Sequence, residues 1–472
     1  MGGGLIQLVA YGSQDIYLTG EPQTTFFKSV YRRHSNFALE SIEFLPDDIP
    51  RLNSRISVLI ARNGDLLKRI WFQFNPFLAY SKKQIVQQFG DTNKSQLLSI
   101  VSDFSHALID QIEIEIGGVV IDRHYGKWLS IWRDLTQVNP YALQSTLSLR
   151  GSENTGEIGT LYDQMAFTHK GIFNSSTISC SLEDASTLAY IPLQFWFCKN
   201  PGLAIPLISL QYSDVRLNIN FSDWTKLFYT TDINEQKFYK LSKSFRIFGD
   251  YIYLESSERT KFVQNSHQYL IEQLQLQESK GTKTINLQFK QMVKEIIISG
   301  QPDIPRVSSN TKFWWGDYYK NPSPILNLTD GGATPRYIIV RDGTGYYDND
   351  TLANNSGIDA SSTTNVKLQL VINGKDQFTP KNLKYFTRTQ IYDHHTGNPG
   401  TYGTIGVYSF ALRPEEHQPS GACNFSRIDD CRLIFTDFDD SVNERLNSLD
   451  VYAISYNVLN ITSGIGGVVY SN

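Results

Sequence analysis

Residues 112–121 read IEIEIGGVVI, and this stretch decides the fold class. Three isoleucines alternate with two glutamates, so apolar side chains recur at every second position, which is the period of a β-strand with one buried face. Gly117 and Gly118 interrupt the run before a second apolar segment begins, as expected for a tight turn between antiparallel strands. The stretch predicts a β-hairpin with one solvent-facing side, and it indicates that strands build this protein.

A second stretch of the same kind runs from Leu368 to Gly374. Apolar residues recur at every second position, and the run ends in Asn-Gly, which suits a type I′ turn because both residues tolerate positive φ. Each hairpin is followed by an aromatic strand and then by a strand that begins Asp-x-Arg-Leu. These strands lie at 195–197 and 214–217 in the first half, and at 408–410 and 430–433 in the second. The recurrence favours a duplicated domain whose loops differ in length.

The length of the chain also favours two domains. Its 472 residues exceed the roughly 250 to 300 at which a single hydrophobic core stops growing. Hydrophobic residues make up 40% of the chain, which is enough for two packed cores. We expect an N-terminal sandwich at 1–224, a linker at 225–244 and a C-terminal sandwich at 245–472. Four regularly spaced cations in and directly after this linker indicate that it is solvated: Lys237, Lys240, Lys243 and Arg246.

Helices are expected to be minor. Thr24 is a suitable N-cap for a short helix over 24–34. Residues 95–110 also place apolar side chains at helical spacing, namely Leu98, Val101, Phe104 and Leu108. The predicted fold class is therefore all-β, with two β-sandwiches in tandem and minor helical insertions.

The charge balance and the cysteine content exclude several functional classes. Lysine and arginine total 43 against 47 aspartates and glutamates, a net charge of −4, whereas a protein that neutralises many phosphates is clearly basic. We therefore expect no direct contact with nucleic acid. The four cysteines form no Cys-x-x-Cys pair, so neither a disulfide framework nor a zinc knuckle is indicated. No apolar run approaches the roughly 18 residues that span a bilayer.

Candidate catalytic and metal sites are weak. Asp429 and Asp430 are sequence neighbours whose side chains, on a strand, would point to opposite faces instead of forming the carboxylate pair of a glycosidase. His394 and His395 also diverge on an extended chain, and we interpret them as an exposed loop pair. An acidic stretch lacks the glycine and the spacing of a calcium loop and is interpreted as solvated: Asp437, Asp439, Asp440 and Glu444. We predict no catalytic, cofactor-binding or metal-binding residue.

Two further features belong to the surface. The run Tyr31-Arg32-Arg33-His34 mixes aromatic and basic groups, and we interpret it as a helix end whose cations complement the helix dipole, in preference to a nucleic-acid contact. Long polar loops are expected at 343–365 and 393–403. Eight Asn-x-Ser/Thr sequons are possible glycan sites: Asn93, Asn174, Asn220, Asn327, Asn349, Asn354, Asn424 and Asn460.

Six blocks spread along the chain resemble the major capsid proteins of large nucleocytoplasmic DNA viruses, most closely those of icosahedral viruses of algae and amoebae. The blocks are YGSQDIYLTGEPQTTFFKSVYRRHSNFALESIE (11–43), IEIEIGGVVIDRHYGKW (112–128), IPLQFWFCKNPGLAIPLISLQYSDVRL (191–217), DYIYLESSERTKFVQNSHQYLIEQLQL (250–276), YSFALRPEEHQPSGACNFSRIDD (408–430) and YNVLNITSGIGGVVYSN (456–472). The resemblance implies a double jelly roll, that is, two eight-stranded sandwiches in one chain. The stretches 73–110 and 301–365 match no block.

The resemblance also implies a function and a set of partners. A homotrimer of two-sandwich chains would give a pseudo-hexagonal capsomer that tiles a virus shell, so function would lie in interfaces and the protein would not be an enzyme. The segment from Ser13 to Arg33 would lie at the capsomer base, facing the virion interior. Expected partners are neighbouring capsomers, minor capsid and penton proteins, an internal membrane reached through minor proteins, and surface glycans. The protein would reside in the virion after assembly in the host cytoplasm.

Two alternatives remain open from the sequence. One is a minor capsid or spike protein of the same lineage. The other is a carbohydrate-binding β-sandwich protein, since jelly rolls also serve that function.

Overall fold

The structure is a computed structural model of the chain. It describes residues 2–75, 99–100, 104–137, 161–166, 188–223, 227–229, 241, 245–279, 283–301, 339–340, 346–347, 367–397, 405–436 and 448–470. The expected linker at 225–244 and the stretches 73–110 and 301–365 fall largely outside these ranges. Contacts divide the chain into two units, Met1–Phe37 and Ala38–Asn472.

The first sandwich consists of two antiparallel four-stranded sheets. One sheet has the strand order Phe37–Phe44, Arg246–Leu254, Leu66–Phe74, Ala189–Pro192. The other has the order Arg55–Leu59, Val215–Phe221, Ile109–Ile116, Val119–Tyr125. The alternating apolar residues of these strands fill one core between the sheets.

The predicted hairpin at 112–121 is confirmed. Ile116 pairs with Val119, and the intervening Gly117 and Gly118 have φ of 60° and 83°, a conformation that favours glycine. The prediction of a solvent-facing side is wrong for Glu113, which is buried. Two arginines of the same sheet cover its carboxylate, at 3.1 Å for Arg55 and 2.7 Å for Arg123.

The second sandwich repeats this construction. One sheet has the strand order His267–Ser279, Ser448–Thr462, Met292–Gln301, Ile405–Ser409. The other has the order Thr284–Asn286, Cys431–Thr436, Lys367–Ile372, Lys375–Asp376. The predicted Asn-Gly turn is confirmed, since Asn373 and Gly374 have φ of 48° and 74° and join paired strands.

The two sandwiches share one topology. If the eight principal strands of each are numbered along the chain, the sheet orders are 1-8-3-6 and 2-7-4-5 in both halves. Short additional strands pair at the margins, namely Lys381–Asn382, Cys423–Asn424 and Ile465–Val468. The repetition of a whole strand order agrees with the duplication that the sequence pattern favours.

Strand Arg246–Leu254 is the eighth strand of the first sandwich. The predicted boundaries make it the first strand of the second sandwich, but it pairs with Leu66–Phe74 along nearly its whole length. Gly249 allows this pairing to pack closely, because a side chain there would collide with Phe44 and approach Leu67. The helix Ser256–Gln264 follows, and the first strand of the second sandwich begins at His267.

The helical insertions are short, as predicted, but their positions differ. The α-helices are Gly3–Val9, Ile16–Thr19, Phe104–Ala107, Gly126–Thr136, Leu161–Ala166, Trp196–Lys199, Ser256–Gln264 and Gln390–His394. Residues 24–34 form no helix: their side chains are exposed, and a short helix without packing is unstable. Of residues 95–110 the structure describes 99–100 and 104–110, where a helix at Phe104–Ala107 lies between strand Ser99–Ile100 and the core strand Ile109–Ile116.

The predicted aromatic strand at 195–197 is also wrong. Trp196–Lys199 is a helical turn, and Phe195, Trp196 and Phe197 are all buried in the first core. A strand would direct alternate rings to opposite faces, whereas all three rings here reach the same core. The aromatic strand at 408–410 is confirmed in the main, since Ile405–Ser409 is a strand.

Candidate functional site

The two sandwiches meet along the helix Gly126–Thr136, which we call the junction helix. Four of its side chains recur at helical spacing and pack against the second sandwich: Trp128, Ile131, Trp132 and Leu135. Leu129 lies on another face and enters the core of the first sandwich. The helix is therefore buried from both sides and belongs to the packing of both halves.

The aromatic residues of the junction form a stack. The ring centroids of Trp128 and Trp132 are 5.4 Å apart, and the ring of Tyr452 in the second sandwich lies 5.4 Å from Trp128. Gly126 begins the helix where a side chain would lie 2.2 Å from the carbonyl oxygens of His106 and Ile109. Only glycine lets the helix start this close to the first sandwich.

Polar contacts also cross the junction. The ammonium group of Lys127 lies 3.0 Å from Asp450 in the second sandwich. In the opposite direction, the backbone N–H of Leu274 donates to Asp122 of the first sandwich at 3.0 Å. Both acceptor carboxylates are buried, so these contacts are shielded from water and specify one alignment of the two halves.

Glu272 is the centre of a buried ion-pair group at the junction. Its carboxylate accepts from Lys294, which is almost fully buried, and from Lys199 of the first sandwich at 3.2 Å. The Lys199 ammonium also lies 4.3 Å from the centroid of the Trp132 ring. Burial by itself raises the pKa of a carboxyl group, but the two ammonium groups lower the pKa of Glu272 to about 2.

His395 lies beside this group, and the prediction of an exposed loop pair is wrong for it. Its side chain is completely buried, with Nε2 3.1 Å from Glu295 and Nδ1 3.1 Å from Glu415. Burial lowers the pKa of a histidine, but the two carboxylates raise the pKa of His395 to about 9. When the ring is protonated, both nitrogens donate to carboxylates and no lone pair is left for a metal ion.

The other carboxylates that the sequence offers as site candidates have structural partners or lie outside the described ranges. Asp430 precedes strand Cys431–Thr436 and pairs with Arg432 at 2.5 Å. The backbone N–H groups of Asp429 and Asp430 both donate to the side chain of Asn373 at 3.0 Å. Asp429 and Asp430 therefore hold the side chain of Asn373 and stabilise the Asn-Gly turn. The acidic stretch at 437–444 is not described.

The described part of the chain shows neither a metal-binding cluster nor a membrane-spanning helix. Within it, no group of three or more His, Cys, Asp or Glu side chains is placed to hold a metal ion. No described helix has the length and apolar character of a membrane span. Cys198, Cys423 and Cys431 are unpaired, and burial raises the pKa of Cys198 to about 12.

The amino-terminal unit Met1–Phe37 exposes its apolar side chains. Phe26 and Phe27 are more than nine-tenths exposed, and other large apolar residues of the segment are at least half exposed: Leu5, Ile6, Leu8, Val9, Tyr11, Ile16, Tyr17, Leu18, Val30, Tyr31 and Phe37. The expected helix end at 31–34 is wrong, since these residues have no helical structure. An apolar segment of this size normally contacts another molecule.

A second exposed apolar surface lies where the carboxy-terminal hairpin touches the first sandwich. We call Val119, Val120, Tyr212 and Ile465 the seam patch, since strand Ile465–Val468 lies beside strand Val119–Tyr125. Tyr212 is 78% exposed, yet its backbone N–H donates to Gly464 at 2.9 Å and its ring fills the space beside that glycine. A fixed and exposed tyrosine is typical of a protein interface.

We did not predict the junction residues from the sequence, although the sequence contains one signal for them. The spacing of Trp128, Ile131, Trp132 and Leu135 matches a helix face. No local signal indicates that His395 would meet Glu295 and Glu415, because these partners are 100 and 20 residues away.

Two protein-family models match the chain. The model described as major capsid protein N-terminus matches residues 25–255, and the model described as large eukaryotic DNA virus major capsid protein matches residues 258–467. Together they cover most of the chain, and the change from one to the other falls between strand Arg246–Leu254 and strand His267–Ser279.

Individual proteins agree with these matches. A major capsid protein of Pyramimonas orientalis virus is 37% identical, and one of Paramecium bursaria Chlorella virus 1 is 32% identical, with 100% of both chains covered in each comparison. The quasi-atomic model of the PBCV-1 virus capsid superposes with a TM-score of 0.66 at 27% identity and covers 95% of this chain and 100% of that one. With the strand orders, this match confirms the predicted double jelly roll.

Proposed function

Because the chain belongs to the major capsid protein family of large eukaryotic DNA viruses, we propose that three copies form one capsomer and that such capsomers tile an icosahedral shell. The protein is a structural component of the virion, and it associates with copies of itself in the capsid. The homotrimer and its pseudo-hexagonal outline are our proposal.

One observation carries the proposal: the same strand order occurs twice in a single chain. Three chains of two equivalent sandwiches give six similar lobes around a three-fold axis. Six lobes approximate a hexagon, and hexagons tile flat facets. A chain with a single sandwich would need six copies for the same outline.

The exposed apolar surfaces support contacts between copies. The seam patch is fixed to both sandwiches through Gly464 and Tyr212, so a neighbour that covers it contacts a surface of defined geometry. We propose that the neighbour is a second copy of this chain, because copies surround every subunit of a shell. The patch is a small part of the roughly 800 Å² that each partner of a stable interface buries.

The amino-terminal unit is assigned a separate role in this proposal. Its exposed apolar side chains, together with Lys28, Arg32 and Arg33, would contact neighbours at the capsomer base. Minor capsid and penton proteins, and through them an internal membrane, remain the partners that we expect there. Assembly in the host cytoplasm is part of the same proposal.

We propose further that the protein has no catalytic role. The junction carboxylates serve buried ion pairs, as Glu272 does with Lys199 and Lys294. Asp430 likewise forms an ion pair with Arg432.

The alternative function is a carbohydrate-binding sandwich. Binding to a glycan array at a defined sheet face would support it. Among the described sequons, Asn424 is exposed and is the site where attached glycan would be sought first.

The position of the division between the sandwiches also becomes a proposal. Since Arg246–Leu254 pairs within the first sandwich, we place the division at 255–266, which contains the helix Ser256–Gln264, in preference to 225–244. Separate expression of 1–255 and 265–472 tests this boundary against a cut at 224 and 245. The cut that removes the eighth strand should give an insoluble first half.

Native mass measurement tests the trimer directly. The purified protein should have about three times the mass of the 53.7 kDa chain. A strict monomer at micromolar concentration would contradict the trimer. Electron microscopy of the same sample distinguishes a major from a minor capsid or spike protein, since only the former should give hexagonal particles of uniform outline.

A further inference from the structure

The carboxyl end of the junction helix is capped by the other sandwich. The last carbonyl groups of a helix lack partners within the helix and need donors from elsewhere. Here the backbone N–H of Gly397 donates to Leu135 at 2.7 Å, and the Thr396 hydroxyl lies 3.1 Å from the carbonyl of Thr136. A helix of the first sandwich is therefore completed by a loop of the second.

The fit of this loop is tight. A side chain at position 397 would place its Cβ 2.3 Å from the carbonyl oxygen of Asp134 and 2.4 Å from that of Leu135. No L side chain is accommodated at such distances, so Gly397 is required for the loop to reach the helix. The contact thus depends on the relative position of the two sandwiches to within a fraction of an ångström.

His395 holds this loop in place through contacts with two carboxylates. Its two ring nitrogens lie 3.1 Å from Glu295 and 3.1 Å from Glu415, and the His395 and Glu295 side chains have no solvent exposure. Glu415 also accepts from the backbone N–H of Thr396 at 2.9 Å. The histidine is a cation near the negative end of the junction helix, which the helix dipole favours.

The charges around His395 balance. Lys294 and Glu272 form an ion pair on the sheet that also carries Glu295, Lys199 of the first sandwich pairs with Glu272, and the ring of Trp132 meets the imidazole edge to face with centroids 6.4 Å apart. Tyr456 lies close to Lys294 on the same sheet. With His395 protonated, three cations oppose three carboxylates in this buried to partly buried group: Lys199, Lys294 and His395 against Glu272, Glu295 and Glu415.

We infer that His395, held between Glu295 and Glu415, is a positioning residue that sets the relative orientation of the two sandwiches and thereby the geometry with which copies associate. The inference rests on the proposed assembly of copies. His395 contacts Trp132, which belongs to the hydrophobic cluster between the junction helix and the second sandwich. What the group determines is how the second sandwich sits on the junction helix.

The test compares three full-length variants with the wild type. His395→Gln removes the imidazole and leaves the buried carboxylate of Glu295 and the partly exposed carboxylate of Glu415 opposed. His395→Gln combined with Glu415→Gln removes one of those carboxylates as well, so the mutual repulsion is relieved. Thr396→Val changes no charge and removes a hydroxyl that lies 3.1 Å from the carbonyl of Thr136 and 2.7 Å from the carboxylate of Glu415.

Two measurements are made on each variant. Hydrogen–deuterium exchange should be about tenfold faster in the junction helix of His395→Gln, while core strands such as Ile109–Ile116 and Cys431–Thr436 keep their protection. The mass distribution of the same variant should shift from trimer towards monomer. The double variant should recover part of both properties, which a purely volumetric role of the side chain does not predict.

The outcomes separate the inference from the proposed function. If the wild type itself is monomeric, the proposed trimer fails, while the exchange data still report on the orientation. If the wild type is a trimer and His395→Gln keeps its junction protection and its trimer, the inference is wrong. Uniform loss of protection across both sandwiches would also overturn it, because His395 would then serve overall stability instead of orientation.

Discussion

The imidazole Nε2 of His395 lies 3.1 Å from the carboxylate of Glu295, and neither side chain is exposed to solvent. The two residues are 100 positions apart in the sequence, one in a sheet strand and the other just after a short helix. Burying two charges is costly unless they are paired, and removal of one partner leaves the other buried and uncompensated. The protonation state of His395 therefore bears directly on the stability of the junction.

Alkaline pH should weaken the junction. Burial alone would lower the pKa of His395. The carboxylates of Glu295 and Glu415 raise this pKa to about 9 in the folded protein, above the usual value of 6.5. The stabilising contribution is complete below pH 6.5 and is lost as the pH rises through about 9. We expect junction-helix exchange, corrected for its intrinsic pH dependence, to accelerate over this range. The His395→Gln/Glu415→Gln variant is the control, and an equal acceleration in it would refute the assignment.

Removal of Lys294 should be strongly destabilising. Lys294→Met leaves Glu272 buried with only the more exposed Lys199 as partner, and we expect a loss of about 3 kcal/mol in the free energy of unfolding. Urea denaturation measures it. The double variant Glu272→Leu/Lys294→Met removes both buried charges and should lose less than the single variant. A larger loss in the double variant would mean that packing, and not the unpaired charge, dominates.

Gly397→Ala should disturb the cap of the junction helix. The added Cβ would lie 2.3 Å from a backbone carbonyl, which cannot move without shifting the helix, so we expect about 1 to 3 kcal/mol of destabilisation. Gly467→Ala is a matched control, since nothing lies within 4 Å of its added Cβ. Thermal unfolding of the two variants checks the prediction, which fails if they melt alike.

Tyr212→Ser should weaken self-association without unfolding the chain. The ring is 78% exposed, so its loss removes little intramolecular packing. If the seam patch contacts a second copy, the loss of an interface tyrosine costs about 2 kcal/mol, or about 30-fold in Kd. Analytical ultracentrifugation measures the change. Tyr212→Phe keeps the ring and should associate normally, whereas equal association of Tyr212→Ser and the wild type would exclude the patch from the interface.

Much of the fold was predictable because its signals are local. Alternation with a period of two identified the hairpin at 112–121, and Asn373-Gly374 specified the turn of the hairpin in the second sandwich by backbone conformation alone. The failures have a physical reason as well. Thr24 is a suitable N-cap, but the exposed side chains of 24–34 supply no packing that would stabilise a short helix. Trp196–Lys199 is a helical turn, and the core takes up the rings of Phe195, Trp196 and Phe197.

The sequence by itself determined the strand periodicity, the two-sandwich organisation and, through its quoted blocks, the capsid family. Those properties depend on residue order within short segments or on likeness along the chain. Only the tertiary structure decided that Arg246–Leu254 completes the first sandwich and that His395 lies buried between two carboxylates. Both depend on contacts between residues far apart in the sequence. Burial and charge pairing across such distances are properties of the packed chain, and no local pattern encodes them.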